Sequence, residues 1–323
     1  MDTIPDDIIM SFPSQSFVSD LITTQYTRDD SDSLLTMSEI DSMLKRIEKN
    51  SYERARIKSE SQFWVTHDDL KLISSTIVSI QIDWRIVSSP IGFSWWRVRL
   101  TVLNVFVPSG EFNIMRSIVS QLGKRVISLI PQPLILPKII ENTQVISDNI
   151  LLIDLGYEHT TVTVMSQNEI IGFDSFSYGT SMLMESISMT HPHFSLLQIE
   201  NLLCNPEEFL TGVNKEDLDE FLWYIQDAIF GYLQSEHIDI RFKRILFHGN
   251  IFENHTIIKV FSEWIEKILW YDFKRNKLCD VIDVKLKHEQ CTVYGLALMA
   301  KELLYVKKDP LVRILRYVLY QYE

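Results

Sequence analysis

Residues 150–164 read ILLIDLGYEHTTVTV. An apolar strand over Ile150–Ile153 ends at Asp154, the chain turns at Gly156, and a second β-rich run opens on Thr160 and Thr161. Glycine lets a backbone approach a neighbouring group closely. Successive backbone N–H groups, joined by the Thr160 and Thr161 hydroxyls, can donate to the oxygens of a phosphate. Asp154, at the strand end, can hold a magnesium ion through water. The same residues also suit an ordinary β-hairpin with a polar turn, so the surrounding segments have to choose.

Two later segments repeat the theme. Ile170–Thr180 offers a strand, a glycine turn at Gly179 and a helix start. Ile245–Asn250 offers another strand, ending in His248, Gly249 and Asn250 beside a helix. Strand, glycine, helix is the junction at which a nucleotide meets backbone N–H groups.

Working outward, strands are predicted at Asp7–Phe17, Ile73–Val87, Arg97–Val107 and Val126–Leu129, then at Ile150–Ile153, Val162–Met165, Ile170–Phe176, Ile245–Phe247 and Val281–Lys285. Helical spacing predicts helices at Ser38–Lys49, with Ser38 as cap, and at Phe112–Leu122, with Gly123 just past its end. Further helices are predicted from Thr180, through most of Ser195–Glu236, and at Ile257–Leu269 and Val293–Leu304. Strands alternating with helices give an α/β fold.

The chain has 323 residues and a net charge of -12, which argues against a nucleic-acid cleft. Its three cysteines form no CxxC pair, so a reducing compartment and no zinc site are expected. No apolar run reaches the roughly 20 residues of a membrane span. The last residues differ. Pro310 suits a first helical turn. Leu311, Val312, Ile314, Leu315, Val318 and Leu319 share a face, flanked by Arg313 and Arg316. This pattern predicts a helix lying in a membrane interface, although a helix packed on the protein's own core has the same stripe.

The three strand–turn segments, in this order, resemble the second phosphate loop and adenosine loop of the actin and sugar-kinase superfamily. Within it, residues 82–100, IDWRIVSSPIGFSWWRVRL, resemble the "VDG-x-GI-x-DP-x-GM-x-G-x-RL" stretch of the FtsA cell-division family. Asp7–Ser14 resembles that family's "VYLALSG" strand, and Met37–Leu44 the acidic helix after it. The resemblance implies an actin-like (ribonuclease H-like) α/β fold with an FtsA-type extra subdomain. It implies a remnant of the first subdomain at 1–60, the extra subdomain and return at 61–146, and a second half at 147–305. That half would carry a small helical insertion at about 195–242, and a terminal amphipathic helix would span 306–323. The family's opening "LDIGT" strands, which supply the first phosphate loop, would lie upstream of Met1.

By the same resemblance, ATP and magnesium would meet Asp154, Gly156, Thr160, Thr161, Gly179, Gly249 and Asn250, with Asp154 serving the metal. Turnover would be weak or absent. The chain would be a cytoplasmic adaptor, peripheral on the inner membrane face. It would bind the carboxyl-terminal tail of an FtsZ-like protein and self-associate in filaments. A PilM-like pilus-assembly adaptor and an actin-superfamily ATPase or kinase are the alternatives. Trp84, Trp95 and Trp96 stand at or beside positions where the family prefers glycine. Either UGA codons read as tryptophan replace glycines there, or the indoles pack a core or an interface.

Overall fold

The computed structural model describes residues 6–12, 16–27, 32–63, 69–87, 92–141, 148–204, 215–236, 238–269, 274–281 and 286–305. They fall into two compact units, Met1–Ile135 with Leu296–Glu323, and Leu136–Gly295.

The first unit is built on an antiparallel sheet of order β2-β5-β3-β4, formed by β2 (Val18–Thr27), β3 (Leu70–Ile82), β4 (Arg85–Ile86) and β5 (Arg97–Pro108). A parallel pair, β1 (Asp7–Phe12) and β6 (Arg125–Pro131), and helix α2 (Ser109–Leu122) complete it with helix α1 (Met37–Phe63). Gly123 ends α2 in the left-handed conformation, φ 61°. Ile40, Leu44 and Ile47 of α1 pack against Val98, Leu100 and Val102 of β5.

Two elements differ from the sequence reading, for one physical reason. Helix α1 starts from a capping box at Thr36, not Ser38: Thr36 N–H donates to Glu39 Oε2 at 2.9 Å, and Glu39 N–H donates to Thr36 Oγ1 at 3.4 Å. It also runs to Phe63, beyond the apolar stripe. There small buried residues, Ser51 and Ala55, replace large apolar ones. The fully buried Asp20 of β2 accepts from Ser51 Oγ at 2.7 Å and pairs with Arg54 at 3.0 Å. Strand β2 was not predicted, because a buried acid breaks its alternation. Strand β2 pairs with β5, and α1 packs against β2, β5 and β3.

The three tryptophans part company. Trp95 is buried in the core under α1. Trp84 and Trp96 are exposed, and Trp84 holds φ 74°, a left-handed value that favours glycine. Trp84→Gly is therefore expected to leave the fold intact and to stabilise it by about 1 kcal/mol, the lower end of the cost of such backbone strain. Calorimetric melting checks this; a fall in Tm would show that the indole's contacts outweigh the strain.

The second unit is built on a mixed sheet of order β11-β10-β7-β8-β9. Its strands are β7 (Ile150–Leu155), β8 (Thr160–Ser166), β9 (Glu169–Phe176), β10 (Arg244–His248) and β11 (Lys274–Lys277). β7, β8 and β9 form an antiparallel meander, and β10 and β11 add parallel to β7. Leu151 and Ile153 of β7, Val162 and Val164 of β8, and Ile245 and Phe247 of β10 carry the core. Helices α4 (Thr180–Thr190), α5 (Leu196–Cys204), α6 (Lys215–Ser235) and α7 (His255–Leu269) pack on them. Helix α3 (Ile135–Glu141) precedes the sheet. The short helix α8 (Leu278–Val281) and helix α9 (His288–Tyr305) follow it. Of the strand expected at Val281–Lys285, Val281 ends α8 and residues 282–285 lie outside the described ones, while β11, the polar run KRNK, has no counterpart in the sequence reading. A polar strand paired only through its backbone leaves no apolar signal in sequence.

Candidate functional site

β7 and β10 run parallel and end together, His248 beside Asp154 in register. The strand ends, the β7–β8 turn and the start of α4 enclose a cleft. Its lining includes Asp154, Gly156, Thr180, Glu200, Cys204, His248, Gly249, Asn250 and His288. His248 Nδ1 lies 2.8 Å from Asp154 Oδ1, and its Nε2 lies 3.3 Å from the His288 carbonyl. That carbonyl accepts, so Nε2 carries a proton. Gly249 N–H donates to His288 Nδ1 at 3.2 Å, which leaves the His288 proton on Nε2, 3.1 Å from Glu253 Oε1. The other Glu253 oxygen accepts from Lys277 Nζ at 3.1 Å. Asp154, His248 and His288 thus tie the ends of β7 and β10 to the start of α9, and the half-exposed Glu253 carboxylate lies beside His288 and Lys277 of β11. Burial pushes the Cys204 thiol up, with Glu200 and Glu253 adding to it, so Cys204 is no activated nucleophile.

The structure brings four of the sequence-predicted residues together in this cleft: Asp154, Gly156, Gly249 and Asn250. Gly179 abuts it, immediately before α4. Gly179 and Gly249 each lie against neighbouring backbone. A Cβ on Gly249 would overlap the Leu155 carbonyl oxygen, and one on Gly179 the Tyr157 carbonyl. Thr160 and Thr161 do not line the cleft. Both are buried in β8; Thr160 Oγ1 donates to the Tyr178 carbonyl, and Thr161 Oγ1 lies 3.4 Å from Ser175 Oγ. β8 lies between β7 and β9, and these hydroxyls face Tyr178, just past β9, and Ser175, within it. The stretch expected to enter a membrane, Leu311 to Leu319, lies outside the described residues. Sequence reasoning missed His248, His288 and Glu253. Only the position of His248 at a strand end hinted at a role.

The arrangement is a poor match for a magnesium-bound triphosphate. Gly156 N–H is taken by the His159 carbonyl at 2.9 Å, Thr180 N–H by the Gly156 carbonyl at 3.0 Å, and Ser181 N–H by the Tyr157 carbonyl at 2.7 Å. Gly249 N–H is taken by His288. Asp154, expected to serve the metal, faces His248 through Oδ1. Among the described residues no lysine or arginine lines the cleft, while Asp154 and Glu200 do. Polyphosphate needs charge compensation that these groups do not supply.

No family model and no curated protein sequence match the chain. Solved structures do. The chain is similar to one in the PilM-PilN type IV pilus biogenesis complex, at 11% identity and a TM-score of 0.58, over 95% of this chain and 81% of that one. MreB 5 of Spiroplasma citri bound to AMPPNP is similar at 11% identity and TM-score 0.44, over 62% of this chain and 66% of that one. The ethanolamine utilization protein EutJ from Carboxydothermus hydrogenoformans matches at 14% identity and TM-score 0.39, over 56% and 59%. With the mixed sheet and its glycine turns, the likeness to the pilus-complex chain establishes that this chain has the actin-like ATPase fold.

Proposed function

We propose that the chain is an adaptor on an actin-like scaffold, which binds a partner protein and does not turn over ATP. The observation that carries this is that named cleft groups are already engaged: the Gly156, Thr180 and Gly249 N–H groups have protein acceptors, and the Asp154 carboxylate faces His248. ATP and magnesium are not part of this reading.

Its finer form is a division adaptor. Residues 82–100 support the FtsA-type reading, and the apolar stripe at Leu311, Val312, Ile314, Leu315, Val318 and Leu319 supports a membrane-bound end. Under it, the helical segment at about 195–242 receives the tail of an FtsZ-like protein, copies of the chain associate with one another, and the chain sits on the cytoplasmic membrane face. One observation favours a second form, a pilus-assembly adaptor that binds a PilN-like protein: the structural likeness to the PilM-PilN complex spans 95% of the chain. Among the described residues no helix is long and apolar enough to cross a membrane.

The decisive experiment is thermal melting with and without magnesium-ATP, alongside phosphate release. A ligand at a hundred times its Kd stabilises by about 2.7 kcal/mol. No shift in Tm and no release are expected. A rise of several degrees, or steady turnover, would overturn the adaptor reading in favour of an ATPase.

A further inference from the structure

We propose that the outer face of the four-stranded sheet, around Arg97 and Arg99, is a docking surface for an extended acidic peptide segment of a partner protein. The proposal is independent of the cleft. Val98 and Leu100 point into the core under α1, so Arg97 and Arg99 project from the opposite face of β5. Two exposed indoles frame them. The Arg97 guanidinium lies 4.7 Å from the Trp84 ring centroid and 5.0 Å from that of Trp96. The Arg99 guanidinium lies 5.2 Å from Trp84. Phe93, half exposed, extends the apolar rim.

Charge identifies the occupant. In a chain of net charge -12, these two guanidinium groups make no ion pair with any described residue. Arg97 Nε is shielded from solvent and has no hydrogen-bond partner among the described residues. The nearby carboxylate, Asp83, is spent on the backbone, accepting from Arg97 N–H at 2.8 Å and Trp96 N–H at 3.5 Å. A guanidinium stacked on an indole is held in plane and offers its N–H edge to a carboxylate.

Spacing identifies the shape. Arg97 and Arg99 are two residues apart on one strand, about 6.7 Å, which is the spacing of alternate side chains in any extended chain. A segment with acids at every second position pairs both guanidinium groups. Its intervening apolar side chains reach the indoles. Trp84 is exposed and held at φ 74°, two costs that a contact made only on binding accounts for. A membrane is disfavoured as occupant, because the guanidinium groups lie over the indole faces that would otherwise enter lipid.

The test is fluorescence anisotropy of the full chain with a labelled peptide of four Glu-Val repeats, against one of four Lys-Val repeats. Saturable binding of the acidic peptide alone, weakened by salt, is expected. Arg97→Gln with Arg99→Gln is expected to raise its Kd about tenfold or more, the effect of losing charge-assisted bonds. Trp84→Gly, which the turn accommodates, should also weaken binding, with circular dichroism unchanged. The proposal is overturned if the acidic peptide does not bind, if the basic peptide binds equally, or if folded variants bind as wild type. It is also overturned if the arginine pair instead governs pelleting with phosphatidylglycerol vesicles. A UGA codon at position 84 or 96 would overturn it as well.

Discussion

Gly249→Ala is expected to lower the melting temperature of the protein by roughly 5–20 °C. Gly249 has φ 126° and ψ 150°, a region open in practice only to glycine. Holding an alanine there costs about 1–3 kcal/mol. The new Cβ would also overlap the Leu155 carbonyl oxygen, which is backbone of the central sheet and cannot swing aside. Overpacking of this kind costs a further 1–3 kcal/mol or so. For a unit of this size each kcal/mol moves Tm by roughly 2–4 °C. Gly179→Ala carries only the steric part, because its φ is -127°. Gly231→Ala is the control: it sits inside α6 with open space around the added methyl, and helix interiors favour alanine by roughly 0.5–1 kcal/mol. Melting followed by circular dichroism checks the series. Equal Tm values for Gly249→Ala and wild type would show that β7 and β10 do not meet at this glycine.

Removal of the last fourteen residues is expected to abolish sedimentation with anionic liposomes. Leu311, Val312, Ile314, Leu315, Val318 and Leu319 make a stripe too wide to stay in water, since each such side chain gains roughly 1.5–3 kcal/mol on burial. Lys307, Lys308, Arg313 and Arg316 each add on the order of 1 kcal/mol near an anionic surface. The full chain should pellet and a chain ending at Asp309 should stay in the supernatant. Leu315→Asp should release the full chain from vesicles without lowering its Tm. Equal pelleting of the two chains would remove the membrane from the proposed function and favour the pilus-type adaptor. A fall in Tm for Leu315→Asp would place the helix on the protein's own body.

Local signals made much of the fold legible. The meander β7–β8–β9 followed from apolar runs separated by short polar turns, and Gly123 marked the end of α2. Gly156, Gly179 and Gly249 stood out as special positions because each follows a strand. Their use was not legible. The sequence reading offered Gly179 and Gly249 to an anion, and the folded chain adds that both accommodate neighbouring backbone. Thr160 and Thr161 look like a polar turn in sequence and are buried in β8. Asp20 and the small residues of α1 hide a long helix and a strand, since a buried ion pair and close packing replace the apolar stripe.

By itself, then, the sequence determined the α/β alternation and the place of most strands, both set by contacts within a few residues along the chain. Only the tertiary structure decided that β10 lies parallel to β7. That placement brings His248 to Asp154 across 94 residues and His288 to Gly249 across 39. Pairing of parallel strands is specified by backbone hydrogen bonds and shared burial, which carry no residue code, so the network that fills the cleft could be read only once the chain had folded.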